Sequence, residues 1–307
     1  MSFSRYNADD QVVSSETVVR GLWTGDTYNL ADLGFYTGSS NTQYYLNVYD
    51  TATTESLQFA IQYGTLNGSG STPINSLVPG ATPTRIVYGE YRNLVYGTEN
   101  NNFVFNGSVS SSGVYAINVA RSRYKESLQP GSLELKLSGS LTLIDDSTTT
   151  NLSRFIGENR YYNIISGSLT NGAYSTATNY GFFFPDMGLL ILDSGSLTAN
   201  ISGTGSGALF NSIKIGNGFK LQSSETVSST YFFTRVKNSE FNYTTNPSII
   251  DDNGNLLYTT LINNPQTFPT SVGLYNDNNE LLAVAKMSRP LTKDFTKEAL
   301  IRIKLDY

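Results

Sequence analysis

Ser271-Val-Gly-Leu-Tyr275, Asn276-Asp-Asn-Asn279 and Leu281-Leu-Ala-Val-Ala-Lys286 decide how this chain folds. Two runs of β-branched, aromatic and aliphatic residues flank a short Asn/Asp-rich connection that tolerates positive φ, and that combination signals a hairpin. Residues 272–275 and 281–286 are therefore expected to pair as strands. The same texture surrounds them: Thr230-Tyr-Phe-Phe-Thr-Arg-Val-Lys237 comes before, followed by Asn238-Ser-Glu-Phe-Asn-Tyr-Thr-Thr-Asn-Pro247 and an Asp252-Asn-Gly254 turn. Beyond the hairpin, the stretch from Leu291 reads as a short polar turn of helix. Leu300-Ile-Arg-Ile-Lys-Leu305 then alternates with its Arg and Lys on one face, as an edge strand does to resist stray pairing.

Composition carries this reading to the whole chain. Among 307 residues there are 21 Tyr and 16 Phe, with abundant Ser, Thr, Asn and Gly, a mixture that suits pleated strands joined by turns. The fold class expected is all-β, with two or three antiparallel β-sandwich-like domains, an extended N-terminal arm and little helix. Cysteine and histidine are both absent. That removes disulfides, thiolate or imidazole metal sites, and any catalytic group built on a Cys nucleophile or a His base. A formal charge of −5 without a basic cluster argues against a nucleic-acid partner. No apolar run is long enough to span a bilayer, and Met1-Ser-Phe-Ser-Arg-Tyr6 lacks the features of a signal peptide, so a soluble chain made in a cytoplasm is expected.

Four segments are expected. Residues 1–30 read as an arm or a first strand: Gln11-Val-Val-Ser-Ser-Glu-Thr-Val-Val-Arg20 alternates, and Trp23, the only tryptophan, could anchor on a neighbour. Residues 31–137 read as a β-domain, with alternating strands in 44–63 and at Ser132–Leu137, and further strands at Phe103-Val-Phe105 and Val114–Ala120. Arg85–Arg92 fits either a strand or a turn of helix, and the Gly/Ser/Thr/Pro-rich stretch Leu66–Pro83 reads as a surface loop. Residues 138–229 form a second β-domain. There Ser-Gly-Ser-Leu-Thr occurs at 138–142, 166–170 and 194–198, which fits chance or a shared turn-then-strand habit better than a solenoid. Leu189-Leu-Ile-Leu-Asp193 is the most continuously apolar run in the chain and suits a strand covered on both faces. Residues 230–307 make the C-terminal β-domain.

Few residues invite chemistry. Asp145-Asp146 and Asp251-Asp252 are carboxylate pairs, but strand neighbours point to opposite faces, so neither pair is a hydrolytic dyad, and turn chemistry accounts for both. Asp251, Asp252, Asn253 and Asn255 do not have the spacing of a helix-loop-helix calcium loop. Gly203-Thr-Gly-Ser-Gly207 lacks the strand, helix and Lys-Ser/Thr of a phosphate cradle. No cofactor, metal or catalytic residue is expected. Exposed tyrosines among Tyr44, Tyr45, Tyr88, Tyr91, Tyr96, Tyr161, Tyr162 and Tyr174 could stack on sugar rings.

The segments Lys237–Tyr243 with Asn246-Pro247, Val272–Lys286 and Lys297-Glu-Ala-Leu-Ile-Arg302 resemble the C-terminal region of virion structural proteins from contractile-tailed myophages, especially those infecting cyanobacteria. Weaker echoes lie at Ser15–Trp23 and Tyr115–Lys125. The resemblance touches roughly a third of the chain as a pattern match. It implies a tail or baseplate subunit held in the virion in several copies, with other tail proteins as partners and no reaction of its own. Trp23, Tyr28, Phe241, Tyr243 and Tyr275 are then the candidate interface residues. The alternatives are a fibre-tip adhesin gripping a surface glycan and, last, a carboxylate glycosidase.

Overall fold

The computed structural model of the chain describes residues 7–37, 44–50, 56–68, 83–98, 100–107, 109–150, 153–244 and 246–307. Its elements begin with β1 (Gln11–Gly21), β2 (Phe35–Thr37), β3 (Tyr45–Asp50), β4 (Leu57–Thr65), α1 (Thr84–Tyr96), β5 (Gly113–Val119), β6 (Ser127–Leu128), β7 (Glu134–Lys136) and β8 (Thr142–Asp145). They continue with α2 (Ser147–Thr150), β9 (Arg154–Ile156), β10 (Asn159–Gly167), β11 (Tyr174–Phe184), β12 (Leu189–Asp193), α3 (Ser206–Gly216) and β13 (Gly218–Lys220). Last come β14 (Gln222–Val236), α4 (Thr260–Asn263), β15 (Ser271–Tyr275), β16 (Leu281–Lys286) and β17 (Ala299–Asp306). The chain is all-β. It divides into two units, Thr17–Thr226 and Met1–Glu16 with Val227–Tyr307.

In the larger unit one antiparallel sheet runs in the order β13-β7-β8-β10-β11-β12-β5-β4-β3-β2, with β9 added to β10. The expected boundary between residues 137 and 138 is not a boundary. Strands from both sides of it interleave, because β12 pairs with β5 (Ile191↔Ala116) and β13 pairs with β7 (Phe219↔Leu135). The short, apolar β12 cannot end a domain when each of its faces needs a cover.

Alternation along the central strands divides the core in two. Leu190 and Leu192 on β12, Tyr115 and Ile117 on β5, and Phe59 and Ile61 on β4 point into one cluster. Leu189 and Ile191, Val114 and Ala116, and Phe182 and Phe184 on β11 point into the other. The strand at 189–193 is thus covered on both faces, as its unbroken apolar run indicates. On the first face the sheet curls over itself. Phe59 of β4 lies 5.4 Å from Phe219 of β13, and Trp23 packs on both rings at 5.8 and 4.9 Å while its indole N–H donates to the Phe219 carbonyl at 2.9 Å. The packing is sandwich-like, but both layers belong to one continuous sheet. α3 packs against this side, with Phe210 edge-on to Phe35 of β2 at 5.7 Å.

The other face is covered by α1. Val87, Tyr88, Tyr91 and Val95 form its buried stripe, spaced as one side of a helix. Residues 85–92 alone contain too little of that period to tell helix from strand; Val95 completes it. The helix ends on Gly97 at φ 68°, whose N–H returns to the Asn93 carbonyl at 2.8 Å. Gly64 of β4 permits the close approach, since a Cβ there would sit 2.6 Å from the Tyr88 nitrogen. Phe103 and Phe105 are buried in this cluster but form no strand: Phe103 N–H donates to the Tyr88 hydroxyl instead of to a neighbouring strand. The three Ser-Gly-Ser-Leu-Thr copies close strands β7, β10 and β12 as turns, and the strand order shows no stacking of like units. Most of the expected loop Leu66–Pro83 lies outside the described residues.

Glu134 ties β7 to its surroundings. It is 1% exposed, with Lys220 Nζ 2.8 Å and Lys136 Nζ 3.8 Å from Oε1, and the Leu169 N–H donating to Oε2 at 3.1 Å. Burial alone would raise its pKa, but the Lys220 ammonium, the Leu169 amide and Lys136 outweigh it, so the carboxyl is held below its ordinary 4.5. A carboxyl depressed on folding stabilises above its unfolded value and loses that contribution as pH falls toward the folded one. In thermal melts the wild type is therefore expected to lose stability relative to Glu134→Gln as pH drops below 4.5. Parallel curves would contradict this. Truncating the double-faced strand at Leu190→Ala or Ile191→Ala is expected to cost about 2–5 kcal/mol each in denaturant unfolding.

Candidate functional site

The smaller unit is built on different terms. Among the described residues, 45 apolar side chains are buried; 43 lie in Thr17–Thr226, and only Val236 and Ile303 lie in the smaller unit, which is almost a third of the chain. The exposed large apolar residues show the reverse, with 16 of 24 in the smaller unit. Apolar side chains exposed in such number within one unit mark it as the candidate interaction region.

The expected hairpin is present. β15 and β16 pair antiparallel through Val272↔Ala285, Gly273↔Val284 and Leu274↔Ala283, and the connection turns at Asn276–Glu280, where Asn276 Oδ1 accepts from the amides of Asn278 and Glu280. Val272, Leu274, Ala283 and Ala285 share a half-buried face. On the other face a Cβ at Gly273 would meet the Tyr275 ring at 2.7 Å and Leu281 at 3.2 Å, so both side chains lie across the flat glycine. Val284, opposite Gly273, extends this exposed apolar face. A two-stranded hairpin is marginal alone in water, and this one is apolar on both sides.

β17 pairs with β14 over eight residues, Ser229↔Asp306 to Val236↔Ala299. It lies at the end of the strand order β1-β14-β17, and Arg302 and Lys304 share its exposed face, as the edge-strand reading expects. The stretch before it holds turns and no helix, contrary to the expected helical turn from Leu291. Asp294 accounts for the difference: its Oδ1 accepts the Thr296 N–H at 2.9 Å and the Thr296 hydroxyl at 2.5 Å, closing a tight turn.

Polar clamps replace the missing core. Lys293 is 1% exposed, and its ammonium donates to the Asn238 carbonyl at 2.9 Å, Asn242 Oδ1 at 2.8 Å and the Asp294 carbonyl at 2.8 Å. All three ammonium protons are thereby used. The Lys293 backbone also exchanges hydrogen bonds with Thr267, both at 2.9 Å, so one residue joins the 238–242 loop to the base of the hairpin. Thr267 in turn donates its hydroxyl to the Phe241 carbonyl.

The candidate interface residues fall in three situations. Trp23 is a correction: at 1% exposure its ring is enclosed by Phe59 and Phe219 of its own unit and cannot anchor a neighbour. Its surroundings come from residues far away in sequence, which local pattern does not reveal. Tyr28 is exposed, but in the larger unit. Phe241, Tyr243 and Tyr275 are exposed in the smaller one, and Tyr243 also donates to the Gly254 carbonyl at 3.0 Å. Phe241 sits at φ 54°, a left-handed backbone that costs a bulky residue about 1–3 kcal/mol. Leu282, Val284 and Leu300 on strands and Phe268 and Phe295 in the connections belong to the same exposed set, and alternation or turn signals do not mark which apolar side chains go uncovered.

The carboxylates behave as structural groups. Asp145, fully buried, accepts from the amides of Gly131, Leu133 and Ser147, and Asp146 pairs with Arg154 at 2.8 Å and accepts the Asn163 N–H at 3.0 Å. Asp251 Oδ1 accepts from the amides of Asn253 and Asn255 at 2.9 and 2.7 Å, the bonding of a turn, and these bonds hold its carboxyl below the usual range. Gly203–Gly207 does lead into a helix, α3, contrary to expectation, but no strand runs directly into it. No family model matches the chain, and neither the curated proteins nor the solved structures contain a match to it. Among the described residues no helix is long and apolar enough to cross a membrane.

Lys293→Met should loosen the smaller unit, because it leaves the Asn238 carbonyl and Asn242 Oδ1 without their donor, at about 1–3 kcal/mol for each buried acceptor. Faster hydrogen exchange confined to residues 238–242 and 267–294 would be the signature. Unchanged exchange there would show that the clamp is dispensable.

Proposed function

We propose that the chain is a structural subunit of a contractile phage tail, in the baseplate, working through permanent interfaces with other virion proteins. The observation that carries this reading is the smaller unit, which among the described residues exposes 16 large apolar side chains and fully buries two. Permanent interfaces resemble a domain core cut in half, and this unit has the composition of one such half. The segments that resemble myophage virion proteins, 237–243, 272–286 and 297–302, lie in the same unit. Its function is mechanical, and its affinity comes from buried area.

The glycan-binding alternative loses support at the tyrosines it needs. Tyr88, Tyr91 and Tyr162 are buried, Tyr44, Tyr45, Tyr96 and Tyr161 are half-buried, and only Tyr174 of that set is exposed. Burial pushes the Tyr91 hydroxyl up to about 12, and its hydrogen bonds to Gln62 and Asn118 lie within the larger unit. Protein mass spectrometry of gradient-purified particles is expected to find this chain at a fixed ratio to the other tail proteins. Recovery only as free protein in the lysate, with none in particles, would refute the proposal.

A further inference from the structure

We propose that Asn253 is a site of spontaneous covalent modification, where the side-chain carboxamide closes on the Gly254 amide nitrogen and the turn becomes aspartate or isoaspartate. The inference rests on the geometry of this turn and is independent of the virion reading.

The chemistry belongs to Asn-Gly pairs, because glycine has no β-carbon to hinder the approach of its amide nitrogen to the preceding side chain. The Gly254 nitrogen gives its proton to hydroxide and attacks Asn253 Cγ. The N–Cγ bond forms, the Cγ–Nδ2 bond breaks, and Nδ2 takes a proton from water and leaves as ammonia. One water then opens the resulting succinimide at either carbonyl. One product is aspartate; the other is isoaspartate, which adds a carbon to the backbone. No oxidant or reductant is needed.

The chain holds five such pairs, at Asn67, Asn106, Asn171, Asn217 and Asn253, and the structure sorts them. Asn106 is locked at both ends of its carboxamide: Nδ2 donates to the Asn179 carbonyl and Oδ1 accepts the Asn179 N–H, each at 2.8 Å. Asn171 Oδ1 accepts the Ala173 N–H at 3.0 Å, while the Gly172 N–H donates to the Ser168 carbonyl at 3.1 Å. Asn217 caps α3, and Gly218 is buried in β13 opposite Lys136. Gly68 is pressed against the start of α1, since a Cβ there would meet Thr84 Oγ1 at 1.9 Å. Asn253 differs from all four. It and Gly254 are exposed, and its carboxamide makes no hydrogen bond among the described residues. The Gly254 N–H donates to the Asp251 carbonyl at 3.0 Å and acts on the Asp251 carboxylate, so these contacts must open before the attack. Both lie within one exposed turn of the unit that encloses few apolar side chains, where local opening costs least.

The product would reach a candidate interface residue. An isoaspartate lengthens the turn that Asp251 Oδ1 closes through the Asn253 and Asn255 amides, and it displaces the Gly254 carbonyl that accepts the Tyr243 hydroxyl at 3.0 Å.

Peptide mapping by tandem mass spectrometry tests the proposal on the full-length chain, kept folded in mildly alkaline buffer and, in parallel, unfolded in denaturant. In the folded chain Asn253 is expected to convert first of the five and more than about tenfold faster than Asn106, giving both aspartate and isoaspartate. In denaturant the five pairs should convert at similar rates. Asn253→Gln should leave this turn free of isoaspartate with unchanged melting of the larger unit. Conversion led by another pair in the folded chain, or the same order and spread of rates in denaturant, would overturn the inference.

Discussion

Too few apolar side chains are enclosed in residues 227–307, and the rest of the account depends on that shortage. Folding must offset roughly 1–2 kcal/mol of backbone entropy for each ordered residue, and burial of apolar surface is the main term available. Val236 and Ile303 cannot supply it for a segment of that length. Lys293 shows what stands in their place. Hydrogen bonds from one buried ammonium hold the loop to the hairpin, yet each adds only about 1–3 kcal/mol net because water competed for the same groups. Polar clamps of this kind fix geometry more than they stabilise it, and they leave the apolar faces waiting for a cover.

The larger unit shows the opposite balance. Its sheet buries side chains on both faces, closes on itself through Trp23, Phe59 and Phe219, and takes α1 on one side and α3 on the other. Such a core needs no partner. One chain therefore carries one unit with a two-faced apolar core and another that encloses few apolar side chains. Phe241, held in a left-handed backbone with its ring exposed, fits the second part: strain of that kind persists where the surroundings enforce it.

Local signals announced some of this and hid the rest. The hairpin at 271–286, the strand pair 45–50 and 57–65, and the two-faced strand at 189–193 were legible because turn residues and period-two alternation act over a few neighbours. The helix at 84–96 was only half legible, since its stripe completes at Val95. The union of 31–137 with 138–226 was invisible, because β12 joins β5 across 71 to 79 residues and β13 joins β7 across 82 to 86. Trp23 misled for the same reason: its large ring suits a partner's pocket or a distant pocket of its own chain, and sequence does not say which. Of the candidate interface, Phe241, Tyr243 and Tyr275 are exposed, but Leu282 and Val284 read as ordinary strand residues, because local pattern does not say which face of a hairpin goes uncovered.

Hydrogen exchange of the full-length chain, free and within purified particles, tests the central claim most directly. The account predicts that amides of 271–275, 281–286 and 299–306 are protected in particles and exchange in the free chain, while those of 113–119 and 189–193 keep their protection in both. Equal protection of both units in the free chain would contradict it, because the smaller unit would then be stable by itself.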